Sequence, residues 1–327
     1  MRRKSSVLTL TVVTIVFLIL ILQTNRKGAF GKRNTSFAVP ADKEITMIEM
    51  TQAGEKLTLR LHDNDNVWTV NDAGEARKSA VSFMIQTLNS IAIKSPVSDV
   101  IFRSEIIEKH VVPVTVKVYS GRRMVNKFLV YKTESNIYGN IMKMSERNEP
   151  FIVSIPGFEG AIGSNFNMNE LFWVPFNIFS SVPGDIASVE VDYTDTPDES
   201  FLVYNYSVSS SHERERPGIE GFDSVQVRRY LSYFTWVPFE TWAFDLGREQ
   251  SDSIASGVPL ATIIVTLTSG AKEKLTIWER SKVNNETLSA DTDRAWGKKD
   301  DNSNLFVVRY FDIDPLLRRK SYFFGQE

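Results

Sequence analysis

The sequence predicts an α+β fold made of two similar halves, each an antiparallel sheet covered on one face by a helix, behind an N-terminal transmembrane helix. Three observations predict it. An uncharged apolar run occupies residues 7–22, from Val7 to Leu22. Most of the remaining chain alternates apolar and polar residues with the period of half-buried strands. The order strand, strand, helix, hairpin, strand, strand occurs near residues 44–156 and again near residues 186–315, which predicts an internal duplication.

The apolar run is long enough to reach across most of a bilayer. Its only polar side chains are three threonines, and as a helix it extends over roughly 24 Å. Lipid offers no partners to an open backbone, so a helix is the form expected there. The alternative is a cleaved signal peptide that begins with the basic residues 2–4. Residues 23–27 are bulky and basic instead of small, which favours an uncleaved anchor.

Basic residues flank both ends of the predicted anchor. They are Arg2, Arg3 and Lys4 before it, and Arg26, Lys27, Lys32 and Arg33 after it. With the α-amino group counted, the positive-inside comparison is a tie. We predict a cytoplasmic N-terminus, because translocating a short charged N-terminus is the less usual outcome. Residues 1–25 are therefore assigned to the cytoplasmic tip and the anchor, and the polar, basic residues 26–43 to a tether.

Charge and composition describe a folded, mildly acidic body behind the anchor. The first 33 residues hold seven of the 38 basic side chains and none of the 40 acidic ones, which leaves 31 basic against 40 acidic. This balance argues against non-specific binding of nucleic acid. An apolar fraction of 42% argues against disorder. The chain has no cysteine, which excludes disulfides, thiol nucleophiles and thiolate metal sites.

The first predicted repeat, residues 44–164, reads as strands around one helix. One face of a helix is predicted to carry Val81, Met84 or Ile85, Leu88 and Ile91, and Pro96 ends that segment. Strands are predicted at 45–50, 55–61, 67–70, 114–119, 124–131, 136–144 and 151–155, with a hairpin turn at residues 120–123. A second, short helix is predicted at residues 101–109. Residues 63–66 between the second and third strands are a turn, which lacks the glycine and distal glutamate of a calcium loop.

Residues 165–185 are aromatic and irregular, and we interpret them as a connector. The second predicted repeat then occupies residues 186–327. Its helix carries Val227, Tyr230, Leu231 and Phe234 on one face, with Asp223 as N-cap. Its predicted strands are 186–193, 200–206, 260–268, 272–279, 294–297 and 305–311, with a polar break at 207–217. The alternative is that there is no duplication, since any α+β chain can be divided into two such series. A different strand order in the two halves would contradict the duplication.

The residues that could form a catalytic or metal-binding site do not occur in any recognisable motif or spacing. His62, His110 and His212 are too far apart for metal-ligand spacing. The glycine-rich residues 157–163 lack the Gly-Lys-Ser/Thr of a phosphate-binding loop, and no serine elbow is present. We therefore predict no catalytic residues, no cofactor and no metal, and no enzyme activity. Whether the acidic cluster of Asp192, Asp195, Asp198 and Glu199 binds a cation stays open.

One aromatic tract is dense enough to suggest an interaction surface. Its candidate residues are Tyr230, Tyr233, Trp236, Phe239 and Trp242. Exposed, such a tract would suit a protein partner or a glycan. The alternative interpretation is core packing.

Several local phrases together resemble a bacterial family. They lie at residues 67–71, 94–97, 150–160, 199–201 and 310–312, and the most distinctive reads PFIVSIPGFEG. They are similar to the membrane-anchored envelope proteins that carry the domain of unknown function numbered 4340. The resemblance covers nearly the whole chain and implies a body outside the cytoplasm, but no catalytic residues. Some relatives are similar to components found beside ABC exporters.

Anchor and resemblance together predict a single-pass protein of the bacterial inner membrane, with the bulk of the chain periplasmic. The predicted function is that of an accessory or scaffold protein of an envelope complex, with a transporter as one candidate partner. The alternative is a binding module for a small molecule, peptide or glycan that uses the cleft between the halves.

Overall fold

The computed structural model describes residues 14, 31–62, 66–133, 140–158, 162–204, 207–209, 222–284, 287–299 and 304–324. These residues form an α+β structure with large antiparallel sheets. The chain divides into two compact units, Met1–Pro175 and Phe176–Glu327. Within the described ranges, no helix is both long and apolar enough to span a bilayer. The predicted anchor lies outside those ranges except for Thr14.

The first unit is built on a nine-stranded antiparallel sheet with the order β4-β3-β2-β1-β6-β7-β8-β9-β5. The strands are β1 (Met47–Gln52), β2 (Glu55–His62), β3 (Val67–Val70), β4 (Gly74–Glu75), β5 (Ala92–Pro96), β6 (Val114–Ser120), β7 (Arg123–Tyr131), β8 (Asn140–Lys143) and β9 (Phe151–Ser154). The helices are α1 (Lys32–Thr35), α2 (Lys78–Ser90) and α3 (Asp99–Phe102), which continues into a π-helical turn at Arg103–Ile107. The hairpin predicted at residues 120–123 is confirmed.

Helix α2 covers one face of this sheet, as its spacing predicts. It buries Val81, Met84 and Leu88 in the main core of the unit. The sheet contributes alternate residues, such as Phe128 and Val130 of β7, because successive side chains of a strand point to opposite faces. The helical interpretation of this stretch is confirmed.

The predicted tether is part of this core at its C-terminal end. Phe37 and Val39 are almost completely buried, and the Val39 backbone N–H donates to the carbonyl of Leu88 over 2.9 Å. Asn126 Nδ2 donates to the carbonyl of Phe37 over 2.7 Å. The polar composition of residues 26–43 hides these two apolar side chains, which alternate like those of a strand. The chain is therefore fixed to the first unit from about Ser36 onward.

Segment α3 and its π turn pack on the opposite face of the same sheet. There Ile106 meets Leu129, Tyr131 and Ile141 in a second, smaller cluster. Phe102 contacts the Tyr131 ring edge-on, with 5.3 Å between centroids. The sheet of the first unit is therefore covered on both faces at its β7–β8 side.

The second unit is built on an eight-stranded antiparallel sheet with the order β13-β12-β11-β16-β17-β18-β19-β15, and on the separate pair β10-β14. The strands are β10 (Asn177–Phe179), β11 (Ile186–Tyr193), β12 (Phe201–Tyr204), β13 (Ser207–Ser209), β14 (Val237–Pro238), β15 (Thr241–Trp242), β16 (Ala261–Leu267), β17 (Lys272–Asn284), β18 (Thr287–Lys299) and β19 (Phe306–Arg309). The helices are α4 (Ser224–Ser232), α5 (Arg248–Ala255) and α6 (Tyr310–Ile313).

The two large sheets have the same order of neighbours. Starting from the central pairs β1–β6 and β11–β16, each strand of the second sheet has a counterpart at the same place in the first. In both units the longer helix, α2 or α4, precedes the edge strand, β5 or β15. Among the described strands, β4 alone lacks a counterpart in the second sheet, and β10 and β14 lie outside this correspondence.

Some elements differ from the sequence-based prediction. The predicted polar break at 207–217 begins with strand β13, and strand β5 follows α2 at residues 92–96, where no strand was predicted. Proline is tolerated in β5 because this strand is at the edge of the sheet. The predicted connector 165–185 divides at Pro175: Phe166 and Trp173 are buried in the first unit. Phe179 of the same segment is buried and pairs with Val237 in the second unit.

Candidate functional site

A pocket of about 550 Å³ lies in the second unit, where the C-terminal segment passes the start of helix α4. Its volume falls in the range of small-ligand sites. The lining is mainly polar, and it consists of Asp223, Gln226, Leu317, Arg318, Arg319, Ser321, Tyr322 and Phe324. The two groups of lining residues are about 90 positions apart in the sequence, so periodicity along the chain could not reveal the pocket.

Asp223 fixes the helical wall of this pocket. Its Oδ1 accepts from the backbone N–H of Val225 over 2.7 Å and of Gln226 over 3.4 Å, so the predicted N-cap is confirmed. Its own backbone N–H donates to the carbonyl of Phe323 over 2.7 Å. The start of α4 and the C-terminal segment are therefore joined directly.

Two tyrosines hold the other wall by its backbone. The Tyr193 hydroxyl donates to the Arg318 carbonyl over 2.7 Å, and the buried Tyr230 hydroxyl donates to the Leu316 carbonyl over 3.0 Å. Burial raises the pKa of both tyrosines far above the ordinary value, so each remains a protonated donor. Residues 316–318 are thus positioned independently of the Arg318 side chain.

Two polar atoms of the lining residues lack partners among the described residues. They are the acceptor Gln226 Oε1 and the donor Arg318 Nε, and both atoms are buried. A buried polar group without a partner costs roughly 1–3 kcal/mol. The Arg318 guanidinium lies 5.1 Å from the centre of the Tyr322 ring, and this cation–π contact stabilises its positive charge. Neither atom is accessible to solvent, so a ligand could reach it only if its side chain moved.

The predicted aromatic surface is largely wrong. Tyr230, Phe239 and Trp242 are buried, and Tyr233 is half-buried. The Phe239 ring stacks on Phe306 with 4.5 Å between centroids, because the aromatic side chains of this tract fill the space beside the sheet. Trp236 alone of the five is mainly exposed, at 60%. Core packing, the alternative interpretation, describes most of this tract.

An exposed apolar surface lies instead on the first unit. It is formed by α3, the π turn and the residues after them, and its members are Val100, Ile101, Ile107 and Val112. Val100 is 78% and Ile107 is 58% exposed. We call these four residues the aliphatic surface. The sequence suggested only a short helix at residues 101–109 and gave no sign that its outer face is apolar.

A buried carboxylate that the sequence did not indicate lies in the β17–β18 hairpin. Asp291 is nearly inaccessible to solvent and accepts a hydrogen bond from Arg280 Nη1 over 2.6 Å. Lys282 Nζ lies 3.7 Å from its other oxygen. Burial would raise the pKa of Asp291, but the backbone N–H of Asp293, Lys282 and Arg280 outweigh it and hold the pKa below its ordinary value. The carboxylate is therefore charged and neutralised within the protein.

The histidines and acidic clusters named from the sequence are not brought together. His62 Nε2 lies 3.0 Å from Thr69 Oγ1, and exposed His110 lies beside the carbonyl of Glu108. His212 and residues 63–65 lie outside the described ranges. In the part of the chain that the structure describes, which includes the cluster from Asp192 to Glu199, no group of three or more acidic or histidine side chains is arranged to hold a metal.

Comparisons with known proteins give no match. No protein-family model, no curated protein and no solved structure resembles this chain at a significant level. A proposal on its function therefore rests on the sequence itself and on the geometry of the molecule.

Proposed function

We propose that this protein is a single-pass, membrane-anchored accessory protein of a bacterial envelope, and that its aliphatic surface docks another membrane protein. The anchor at residues 7–22 and the resemblance to the envelope family supply the location. Both are inferences from the sequence. The observation that carries the docking role is that segment 99–112 contacts the sheet through Phe102 and Ile106 and also exposes the four residues of the aliphatic surface.

The inner face of segment 99–112 already packs against the sheet. Ile106 and the partly buried Phe102 contact the sheet, and Ser98 Oγ caps the helix by accepting from the Ile101 N–H. On a helix at the surface of a monomer, the remaining side chains are expected to be polar. Here Val100, Ile101 and Ile107 point away from the sheet cluster and are exposed. The exposed side also carries the charged residues Asp99, Arg103 and Glu108. A mixture of aliphatic and charged side chains is typical of a protein interface with an apolar centre and a polar rim, so a protein partner would bury the aliphatic residues.

The π-helical turn supports the same proposal. Residues Arg103–Ile107 form an unusual i→i+5 turn, in which the Glu108 N–H donates to the carbonyl of Arg103 over 2.9 Å. Such turns are often found at functional sites, because they rotate the following side chains relative to a regular helix. In this chain the turn ends at the exposed Ile107.

We also propose that the two units arose by internal duplication and that they now have different roles. The shared strand order of the two sheets supports common descent. In this proposal the first unit supplies the docking surface, while the second keeps a helix and a short connection at the corresponding place, α5 (Arg248–Ala255). The transporter-associated role and the periplasmic location belong to the same proposal.

The test is purification of the tagged full chain from membranes of its native host with a mild detergent. We expect a membrane protein to co-purify in a fixed ratio. A charge at the centre of an apolar contact removes binding energy, so Ile107→Glu should lower its yield at least about tenfold. The matched control is Arg122→Glu, which puts the same acid in the exposed turn between β6 and β7.

Equal yields of the partner with Ile107→Glu and with Arg122→Glu would contradict the docking role. Recovery of the protein in the soluble fraction, with an N-terminus after Gln23, would contradict the anchor. Circular dichroism of both variants shows whether the fold is retained, and retention is expected because neither side chain is buried.

A further inference from the structure

We propose that one outer face of the second unit lies against the surface of an anionic bilayer. The proposal rests on the anchor of the proposed function, and it does not involve the aliphatic surface of the first unit. The face combines arginines with two aromatic side chains, and its members are Arg228, Arg229, Trp236, Arg318, Arg319 and Tyr322. We call these six residues the basic face.

Helix α4 carries two of these arginines on the side that points away from the sheet. Its inner side is fixed, because the buried ring of Tyr230 contacts Phe201 of β12 edge-on, with 5.5 Å between centroids. Arg228 and Arg229 are on the exposed side. The helix therefore covers the sheet with its apolar side and presents positive charge outward.

Trp236 continues this outer side beyond the end of α4. The buried ring of Phe234 lies 5.4 Å from that of Tyr230, and buried Val237 pairs with Phe179 of β10. Trp236 has extended backbone angles and precedes Val237 directly, so its side chain points away from the core. It is 60% exposed.

The C-terminal segment completes the face beside α4. A hydrogen bond joins the side chains of Tyr233 and Tyr322, and the Arg318 guanidinium lies 5.1 Å from the centre of the Tyr322 ring. The charges of Arg229 and Arg318 both act on the Tyr322 hydroxyl, where they oppose the rise in its pKa that burial causes. Arg319 is exposed next to Arg318. The arginines of the two segments therefore form one patch.

This patch is positive although the second unit is acidic as a whole. Residues 176–327 contain 24 acidic and 16 basic side chains. Two carboxylates border the four arginines of the face: Asp223 caps α4, and Glu199 acts on Tyr193 together with Arg318 and Arg319. Positive charge stays in the majority, so the patch attracts a negatively charged surface.

Arginine together with tryptophan and tyrosine is the combination that suits a lipid surface. Guanidinium groups bind phosphates through paired hydrogen bonds, and tryptophan and tyrosine rings are enriched where the bilayer meets water. An acidic protein would also meet the charges, but the anchor keeps a bilayer close. Only 13 residues separate Leu22 from Ser36, and they extend over at most roughly 45 Å. At the high effective concentration that such a tether gives, weak contacts are sufficient.

Helix α5 offers a matched control, because it lies on the opposite side of the sheet. Neighbours paired in register place Leu275 on the same side as Phe201, which α4 covers. Trp278, three residues after Leu275, points to the other side. There its Nε1 donates to the carbonyl of Gly257, just after α5, over 3.1 Å.

The experiment uses the full chain with one fluorescent label, which the absence of natural cysteine allows. Ser232→Cys places a nitrobenzoxadiazole dye on α4, and Ser253→Cys places it on α5; both serines are exposed. The chains are reconstituted into phosphatidylcholine vesicles with or without about one-third phosphatidylglycerol, and a lipid with a nitroxide headgroup is included as quencher.

We expect the nitroxide lipid to quench the dye at position 232 at least about threefold more than the dye at position 253 when phosphatidylglycerol is present. Without phosphatidylglycerol the difference should disappear, because the anionic lipid supplies the attraction. Quenching at position 232 should also fall at high salt, which screens exposed charges.

Two pairs of variants locate the contact. Arg228→Gln combined with Arg319→Gln should reduce the quenching at position 232 at least about threefold, whereas Arg122→Gln combined with Arg248→Gln removes two exposed charges elsewhere and should not. Trp236→Ala should also reduce it. Val258→Ala, at a side chain that is 76% exposed next to Gly257, should leave it unchanged.

Three results would overturn the proposal: equal quenching at positions 232 and 253, quenching that does not depend on phosphatidylglycerol, and no effect of the arginine pair. Alkaline carbonate extraction of the same vesicles tests the anchor separately. Release of a chain whose dye at position 232 had been quenched would contradict the anchor and support the basic face. A retained chain with equal quenching at both positions would contradict the basic face alone. Ile107→Glu should leave the quenching unchanged, which separates this face from the docking surface.

Discussion

Arg280 holds the buried carboxylate of Asp291 across the β17–β18 hairpin, with 2.6 Å between Nη1 and Oδ2. The pair exists because the hairpin is irregular there: Glu279 pairs with Ala295 and Ser281 with Ala290, so four residues face Arg280 alone. This bulge turns Asp291 inward, where its other oxygen accepts from the N–H groups of Asp293 and Arg294. The Arg280 guanidinium also lies over Trp296, at 5.1 Å from the ring.

Removal of this carboxylate should destabilise the second unit. Asp291→Ala leaves the Arg280 and Lys282 charges and two backbone N–H groups without their acceptor. We expect a loss of about 2 kcal/mol, less than the full cost of breaking a buried ion pair, because both cations keep partial exposure. Urea unfolding followed by tryptophan fluorescence measures it. Asp293→Asn, at an exposed carboxylate, should change stability by under about 0.5 kcal/mol.

Glu49 should make the stability of the first unit depend on pH. Hydrogen bonds from Lys117 and Lys56, each 2.6 Å long, hold its pKa below the ordinary 4.5. The unfolded chain binds the proton more tightly, so this stabilisation is complete above about pH 4.5 and is lost as the pH falls through the lowered pKa of the folded state. Unfolding free energies measured from pH 7 to pH 3 should therefore fall less steeply for Glu49→Gln than for wild type. Identical slopes would show that this carboxylate does not contribute.

Phe37 should contribute as much to the stability of the first unit as a buried residue in the middle of the sheet, although the sequence analysis assigns it to a tether. Its ring contacts Phe128 and Phe151 edge-on, at 6.2 and 6.4 Å between centroids. Phe37→Ala leaves a cavity, and we expect a loss of about 3 kcal/mol in the stability of the first unit. Ser36→Ala, next to it and exposed, should have little effect in the same denaturation experiment. Equal, small effects of the two substitutions on stability would show that this segment is a tether and does not belong to the core of the first unit.

Gly297 should not tolerate a side chain. Its pairing partner on β19 is Phe306, and a Cβ on Gly297 would collide with that ring. Gly297→Ala should destabilise the second unit by about 1–3 kcal/mol through overpacking. Gly184→Ala is the matched control, because a Cβ there meets no atom within 4 Å and the backbone is not in the left-handed region. Thermal unfolding of the two variants gives the comparison.

Local signals made much of the fold predictable. The cap at Asp223, the apolar face of α2 and the limits of β11 follow from residues close together in the chain, and the structure has all three. Strand β15 was not predictable, because two residues have no period, and its place is set by pairing with β19 far along the chain. The aromatic tract was misjudged because the residue types of a core and of a docking surface are the same.

The candidate sites were less accessible to sequence reasoning than the fold. The pocket joins Gln226 to Arg318, and neither residue lies in a motif. The aliphatic surface depends on which side of segment 99–112 contacts the sheet, and that contact joins residues far apart in the chain. The sequence predicts strands only at 272–279 and 294–297, so the part of the hairpin that holds Arg280 and the Asp291 bulge was missed.

The most direct test of the docking role is site-specific photo-crosslinking in living cells of the native host. A benzophenone amino acid replaces Ile107 in one strain and Arg122 in another, so that the same probe sits on the aliphatic surface and on an exposed turn of the same unit. We predict a discrete adduct with a membrane protein from position 107 and none from position 122. No adduct at position 107, or the same set of adducts at both positions, would contradict the proposal that this surface docks a partner.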